Sequence, residues 1–265
     1  MLKEIAKTVL STVAQPLAGA ALLVPPILSS RESSDESVAM RSPQSWNAET
    51  DAKYTYRMVE EAKNYPTDGH FYTGEGDTGF TDFGGHGNCS KNDSRVVAHA
   101  DCDEANAAVS VAIAAGGLPT DVSATLVSVQ NDLFDVATDL AAPLNAGKQP
   151  QARMVPGHVE RLERAIDHFA EEAGDLSGMV LPGGTLSGAL LYQARGIVRR
   201  AERAVWAAVQ EYPGVVNPVN GRYLNRLSAL LFVLARNANL EHGDITWVPE
   251  ASVRVPAEEE APAAE

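Results

Sequence analysis

Between Thr120 and Leu140 apolar residues stand at Val122, Leu126, Val129, Leu133, Val136 and Leu140, separated alternately by four and three positions. Such spacing puts all six on one side of a 3.6-residue helix, so the stretch must bury a single face against a partner. Thr120 or Asp121 is placed to cap its start. The segment "HVERLERAIDHFAEEA" repeats the pattern with Val159, Leu162, Ile166 and Phe169, just after Pro156. Two longer helices are predicted over "GTLSGALLYQARGIVRRAERAVWAAVQ" and over "GRYLNRLSALLFVLARNAN", the second preceded by Pro218. A fifth covers "CDEANAAVSVAIAA", with Asp101 and Glu104 at the separation of a capping box. Segments with clean two-residue alternation are nearly absent, so the fold class is all-α, with five helices.

Length and charge narrow the functions open to such a chain. The chain has 265 residues and a formal charge of −14, and no basic block interrupts it. A nucleic-acid surface needs clustered cations to neutralise phosphates, so that class is excluded, and any anionic ligand must be held by a local group of cations. Two cysteines form neither a C-x-x-C pair nor a disulfide framework, which suits a reducing, cytoplasmic setting.

Composition divides the chain into a leader over 1–48, a short helix and turn over 49–70, a helical domain over 71–250 and an acidic tail over 251–265. The leader carries no charge from Thr8 to Ser30 and follows Lys3 and Lys7, a layout that leaves targeting or membrane association open; Pro16, Pro25 and Pro26 break it as a spanning helix.

The segment "FYTGEGDTGF" contains Gly74, Gly76 and Gly79 in the spacing of a dinucleotide fingerprint. That fingerprint requires a hydrophobic strand before the glycines and a helix opening on them, and neither flank fits. The glycines instead suit a loop whose backbone N–H groups approach a phosphate chain. Further along, Arg195, Arg199, Glu202 and Arg203 occupy one stripe of a helix whose opposite side carries Leu190, Ile197, Ala201 and Ala208. A cationic stripe of this kind, beside a glycine-rich loop, suits a triphosphate. Separately, His86, Cys89, His99 and Cys102 supply two imidazoles and two thiols, ligand types that zinc accepts, though at no standard finger spacing.

Taken in order, "YTGEGDTGFT", Lys91 in "SKNDSRV", "DEAN" from Asp103, "LPGGT" from Leu181, "ARGIVRRAER", "RYLNRLSALLFVLAR" and "GDITWVP" form a set far more specific than any one of them. The set resembles the PduO-type ATP:cob(I)alamin adenosyltransferases from about Tyr72 to Pro249. The resemblance implies a five-helix bundle that assembles as a homotrimer, with ATP and a corrinoid meeting at each subunit interface. Reduced cobalt attacks the 5′ carbon of ATP in such enzymes, tripolyphosphate leaves, and Mg2+ accompanies the phosphates. An electron-donating reductase and an adenosylcobalamin-dependent enzyme are the implied partners.

By the same resemblance, the ATP contacts fall on Thr73, Gly74, Glu75, Gly76, Thr81, Lys91, Arg199, Arg200, Glu202, Arg203 and Asn225. Asp103 and Arg195 hold the catalytic positions as an ion pair across the interface, and Met179 faces the corrin. Three positions depart from the family pattern: Gly74 where a basic residue is usual, Met179 where Phe is usual, and Ala229 where Asp is usual. The alternative they leave open is a low-activity paralogue that binds ATP or adenosylcobalamin as a carrier or sensor.

Overall fold

A computed structural model describes residues 72–147, 150–176 and 178–253. The leader, the helix and turn expected over 49–70 and nearly all of the acidic tail lie outside the described residues. Five long helices follow a small antiparallel hairpin of strands β1 (Phe80–Asp82) and β2 (Asn88–Ser90). The helices are α1 (Ser94–Ala114), α2 (Thr120–Leu140), α3 (Pro156–Ala173), α4 (Leu186–Glu211) and α5 (Val219–Asn237). Helix α4 lies between α1 and α5; α1 also packs on α2, and α5 on α3. Among the described residues no helix is long and apolar enough to cross a membrane.

The periodic residues make the core. All six apolar positions expected on α2 are buried, as are Leu162 and Phe169 of α3, while Val159 and Ile166 pack against the core from its margin. Helix α1 buries Ala98, Cys102, Ala105, Val109 and Ala112, and α4 buries Ala194, Val198, Ala201, Val205 and Ala208. These small side chains let the two axes approach closely. Bulk comes from Leu224, Leu227, Leu230, Leu231 and Leu234 of α5.

Helix starts differ in part from expectation. Helix α1 begins a full two turns before Asp101, capped by Asp93, whose carboxylate accepts the N–H of Arg95 at 3.0 Å. Asp101 and Glu104 therefore sit within the helix and cap nothing; both face Arg200 of α4. Helix α2 starts at Thr120 after Pro119, with no side-chain cap. Pro156 is itself the first residue of α3, where its missing N–H has no helical partner to lose. The hairpin was not foreseen either, since three-residue strands are too short to display an alternating pattern. It is held by tertiary contact: Phe83, just after β1, is 7% exposed and stacks on His86 and against the edge of His99.

One buried carboxylate joins two connections. Asp139, near the end of α2, pairs with Arg153 and accepts hydrogen bonds from the Met154 N–H at 3.0 Å and from Asn217 Nδ2 at 2.6 Å. It thereby ties the segment before α3 and the α4–α5 loop to the end of α2.

Helix α4 packs closely on α5 at Gly221, where an added Cβ would lie 2.6 Å from Trp206 Cε2. Ala is the better helix former by about 1 kcal/mol, yet a rigid indole cannot yield as a flexible chain end would. Gly221→Ala should therefore destabilise the protein by about 1–3 kcal/mol, read as a lower midpoint in urea; a higher midpoint would show that the helices separate freely.

Candidate functional site

The glycine segment forms a run of tight turns. Gly74, Gly76 and Gly79 have φ of 77°, 86° and 80°, a region that suits glycine, and the Gly79 N–H bonds the Gly76 carbonyl at 3.1 Å. Lys91 closes over this turn: its N–H donates to the Gly79 carbonyl at 2.9 Å, and a Cβ on Gly76 would lie 2.8 Å from Lys91 Nζ. A side chain at Gly76 would have to push that flexible chain end aside, and the left-handed φ already selects glycine there. Thr73 Oγ1 accepts the Glu75 N–H at 3.2 Å, and Thr81 pairs with Cys89 across the hairpin. Six of the sequence-predicted residues, Thr73, Gly74, Glu75, Gly76, Thr81 and Lys91, thus belong to one turn-and-hairpin unit.

A second unit is a cleft of about 500 Å³ bounded by Gly196, Arg199, Arg200, Glu202 and Arg203 of α4 and by Asn225 of α5. Asn225 Nδ2 donates to Glu202 Oε1 at 3.1 Å, and its own Oδ1 accepts from Arg226 NH1 at 2.7 Å. Arg226 in turn donates to Glu163 at 2.7 Å, so the amide is held in one orientation by a chain of partners. Arg199 and Arg203, one helical turn apart, make no ion pair among the described residues. Two uncommitted guanidinium groups at that spacing offer a fork-like surface to phosphate oxygens.

Arg200 differs from its neighbours. One residue along a helix is a rotation of about 100°, which turns Arg200 toward α1, where it bonds Glu104 and lies 3.9 Å from Asp101. Contact with Glu104 raises its pKa further. Although Arg200 borders the cleft, its charge is engaged in joining α4 to α1.

Arg195 and Asp103 are not paired within one chain. The guanidinium of Arg195 lies 5.5 Å over the Phe232 ring, and its buried Nε has no hydrogen-bond partner among the described residues. Burial, and then the like charge of Arg199, lower its pKa. Asp103 is exposed on α1.

Met179 is 69% exposed and belongs to an apolar face built by two paired segments. The Trp247 N–H bonds the Met179 carbonyl at 2.7 Å and the Leu181 N–H bonds that of Ile245 at 2.8 Å, leaving Leu181, Ile245 and Trp247 exposed beside Met179. Sequence reasoning missed what holds this loop. Asn239 Oδ1 accepts the Thr185 N–H at 2.8 Å while its Nδ2 donates to the Gly183 carbonyl at 2.8 Å, and side chains on Gly184 or Gly188 would collide with it. A single asparagine just past α5 carries no pattern that would have revealed this.

The four zinc-type side chains do not converge. His86 Nε2 donates to the Leu140 carbonyl at 2.9 Å, so its Nδ1 is the acceptor for Arg95 NH1 at 2.9 Å, and both ring nitrogens are used. The same arginine bonds Cys89 Sγ at 3.5 Å, placing a cation where a metal would have to sit. Cys102 is fully buried, with its thiol pushed up to about 12 mainly by desolvation, and stays protonated. Among the described residues the one converging group of metal-ligand side chains is Asp132, Asp135 and His158, and there Arg161 already pairs with Asp132.

The family model described as cobalamin adenosyltransferase matches residues 71–238, a span that contains both units. The chain belongs to that family. It is 44% identical over 182 residues to a corrinoid adenosyltransferase of Mycobacterium leprae, covering 67% of this chain and 95% of the relative. A corrinoid adenosyltransferase of Bacillus subtilis is 36% identical over 187 residues, covering 69% and 94%. Among solved structures, a phenylalanine-to-histidine variant of the PduO-type ATP:corrinoid adenosyltransferase from Lactobacillus reuteri, complexed with cobalamin and ATP, aligns with a TM-score of 0.62 at 32% identity. That alignment covers 67% of this chain and 96% of that one. An arginine-to-lysine variant of the same adenosyltransferase, complexed with ATP, aligns with a TM-score of 0.57 at 33% identity, covering 67% and 99%.

Burial lowers the pKa of both His86 and His99, the histidines that flank Phe83. The folded state then binds fewer protons than the unfolded state, so their contribution to stability is complete above the ordinary value of 6.5 and is lost as pH falls through the lower folded values. Thermal melts should show a lower midpoint at pH 5.5 than at pH 7.5, with a smaller difference in His86→Gln; an equal difference in that variant would remove His86 from the account.

Proposed function

We propose that the nucleotide is bound where the glycine unit of one copy meets the α4–α5 cleft of another in a homotrimer. The chain transfers the 5′-deoxyadenosyl group of ATP to cob(I)alamin, giving adenosylcobalamin and tripolyphosphate. The pair of uncommitted guanidinium groups, Arg199 and Arg203, carries this reading. Neither they nor any other residue bounding the cleft comes from the glycine segment, so one chain presents two incomplete halves. Arg195, with a buried unpartnered Nε, and the exposed Asp103 are suited to pair between copies and complete the boundary between the halves.

In this reaction the electron pair on reduced cobalt forms the bond to C5′ while the C5′–O bond breaks, and the leaving oxygen takes the negative charge. No protein nucleophile is needed. The chain's task is to hold the triphosphate in line and to stabilise charge gathering on it. Lys91 and the turn N–H groups would take phosphate oxygens from one side, with Arg199 and Arg203 opposite. Asn225, fixed by Glu202 and Arg226, would select the nucleoside's orientation. Magnesium enters with ATP as part of the substrate; Glu202 is the one carboxylate bounding the cleft and fits a hard cation there. Met179 and its apolar neighbours would shelter the lower face of the corrin. A cytoplasmic setting supplies the electron donor for cobalt, and an adenosylcobalamin-dependent enzyme takes the product.

The exposed, flexible Met179 and the absence of charge at Gly74 and Ala229 favour a second reading, a carrier or sensor that binds these molecules with little turnover. Incubating the protein with ATP, Mg2+ and chemically reduced cobalamin separates the two. The enzyme produces the visible spectrum of the light-sensitive adenosyl product; a carrier binds without that change. Within the enzyme, Arg199→Ala should raise KM for ATP by about tenfold or more at an unchanged melting temperature and oligomeric state. Normal turnover in that variant would move the nucleotide site elsewhere.

A further inference from the structure

We infer that Arg95 is a positioning residue for the nucleotide site, a role that rests on the reading of Lys91 as a phosphate contact. Lys91 stands near the top of a short arch, and Arg95 holds both of its feet. One foot is Cys89, in β2, whose Sγ accepts from Arg95 NH2 at 3.5 Å. The other is Asp93, the α1 cap, whose carboxylate accepts from Arg95 Nε at 2.9 Å and from NH2 at 2.8 Å. Between the feet, the Lys91 N–H is tied to the Gly79 carbonyl and the Asp93 N–H to the Ser90 carbonyl at 3.0 Å. A single planar guanidinium thus fixes the residues two before and two after Lys91, and so sets where the ammonium lies over Gly76.

The clamp is itself held from two directions. Tyr212, at the end of α4, lies under the guanidinium at 3.8 Å and donates its hydroxyl to Asp93 Oδ2 at 2.8 Å. His86 accepts from Arg95 NH1 and is anchored by its other nitrogen to the end of α2. Both Arg95 and Asp93 have side chains only 12% exposed. A lysine at position 95 would keep the charge but could not span Asp93, Cys89 and His86 at once, because it lacks the planar fork.

Steady-state kinetics on the full chain, with MgATP and chemically reduced cobalamin, tests the role through Arg95→Lys, Lys91→Ala, the double variant and Tyr212→Phe. Arg95→Lys should raise KM for ATP about tenfold while KM for cobalamin and the folded fraction stay unchanged; a merely structural defect would lower the active fraction and move neither KM. Because Arg95 acts through Lys91, the double variant should be no worse than Lys91→Ala alone. An unchanged KM for ATP in Arg95→Lys, or losses that multiply in the double variant, overturns the positioning role. Should Arg95→Lys fail to fold, Tyr212→Phe, which loses only the hydroxyl on Asp93, should still raise KM for ATP about twofold or more, and no rise overturns the role. If Lys91→Ala leaves KM for ATP unchanged, the nucleotide-site reading falls and the role of Arg95 falls with it; an impaired Lys91→Ala beside a normal Arg95→Lys sinks the role alone.

Discussion

Close contact between α1 and α4 through small side chains is the constraint from which the site follows. Ala194, Val198, Ala201, Val205 and Ala208 are fully buried along one edge of α4, against the alanine-rich edge of α1. A helix fixed so closely cannot rotate, so its opposite edge is presented at a defined angle. That edge holds Arg195, Arg199 and Arg203, cations that repel one another at a turn's separation by a few tenths of a kcal/mol per pair. Burial of the apolar edge outweighs this repulsion many times over, at about 25 cal/mol per Å² removed from water. The bundle can therefore keep like charges together and uncompensated, which is what an anionic ligand requires and what an isolated helix would not sustain.

How far the sequence reveals this depends on whether a feature is periodic. Helices α2 to α5 were legible because their apolar residues recur every three to four positions, and recurrence survives without knowledge of the partner surface. The start of α1 was not. Asp101 and Glu104 have capping-box spacing, but their carboxylates answer Arg200 on another helix. Arg199 and Arg203 could be singled out from spacing, whereas Arg200 could be separated from them only once α1 was seen beside it. The zinc-type set had suitable ligand chemistry and no convergence, since His86 and Cys89 both turn to Arg95.

The Arg95 cluster marks the limit most clearly. Its members come from the turn after β1, from β2, from the start of α1 and from the end of α4, and their order in the chain has no repeat. Each residue has an ordinary local explanation: Asp93 as a cap, Cys89 as a small buried thiol, Tyr212 as a helix end. Only tertiary packing turns them into one device. The Asp93 carboxyl, held well below the usual carboxylate range chiefly by its bond to Arg95, reflects the same convergence.

A division of labour follows from where the structure places its strongly perturbed groups. Asp93 and Cys102 lie in the scaffold beneath the hairpin and α1, away from the residues that bound the cleft. The cleft itself offers guanidinium groups, one carboxylate and one amide, with no base poised beside a hydroxyl or thiol. An enzyme that had to generate its own nucleophile would need such a pair within hydrogen-bond reach. A displacement in which the corrinoid supplies the electrons does not, and its rate depends on distance, line of approach and the stabilisation of departing phosphate charge. Rigid placement of cations is then the chemistry that the fold must provide, and the short bonds of the Arg95 clamp and the close packing of α4 both serve that placement.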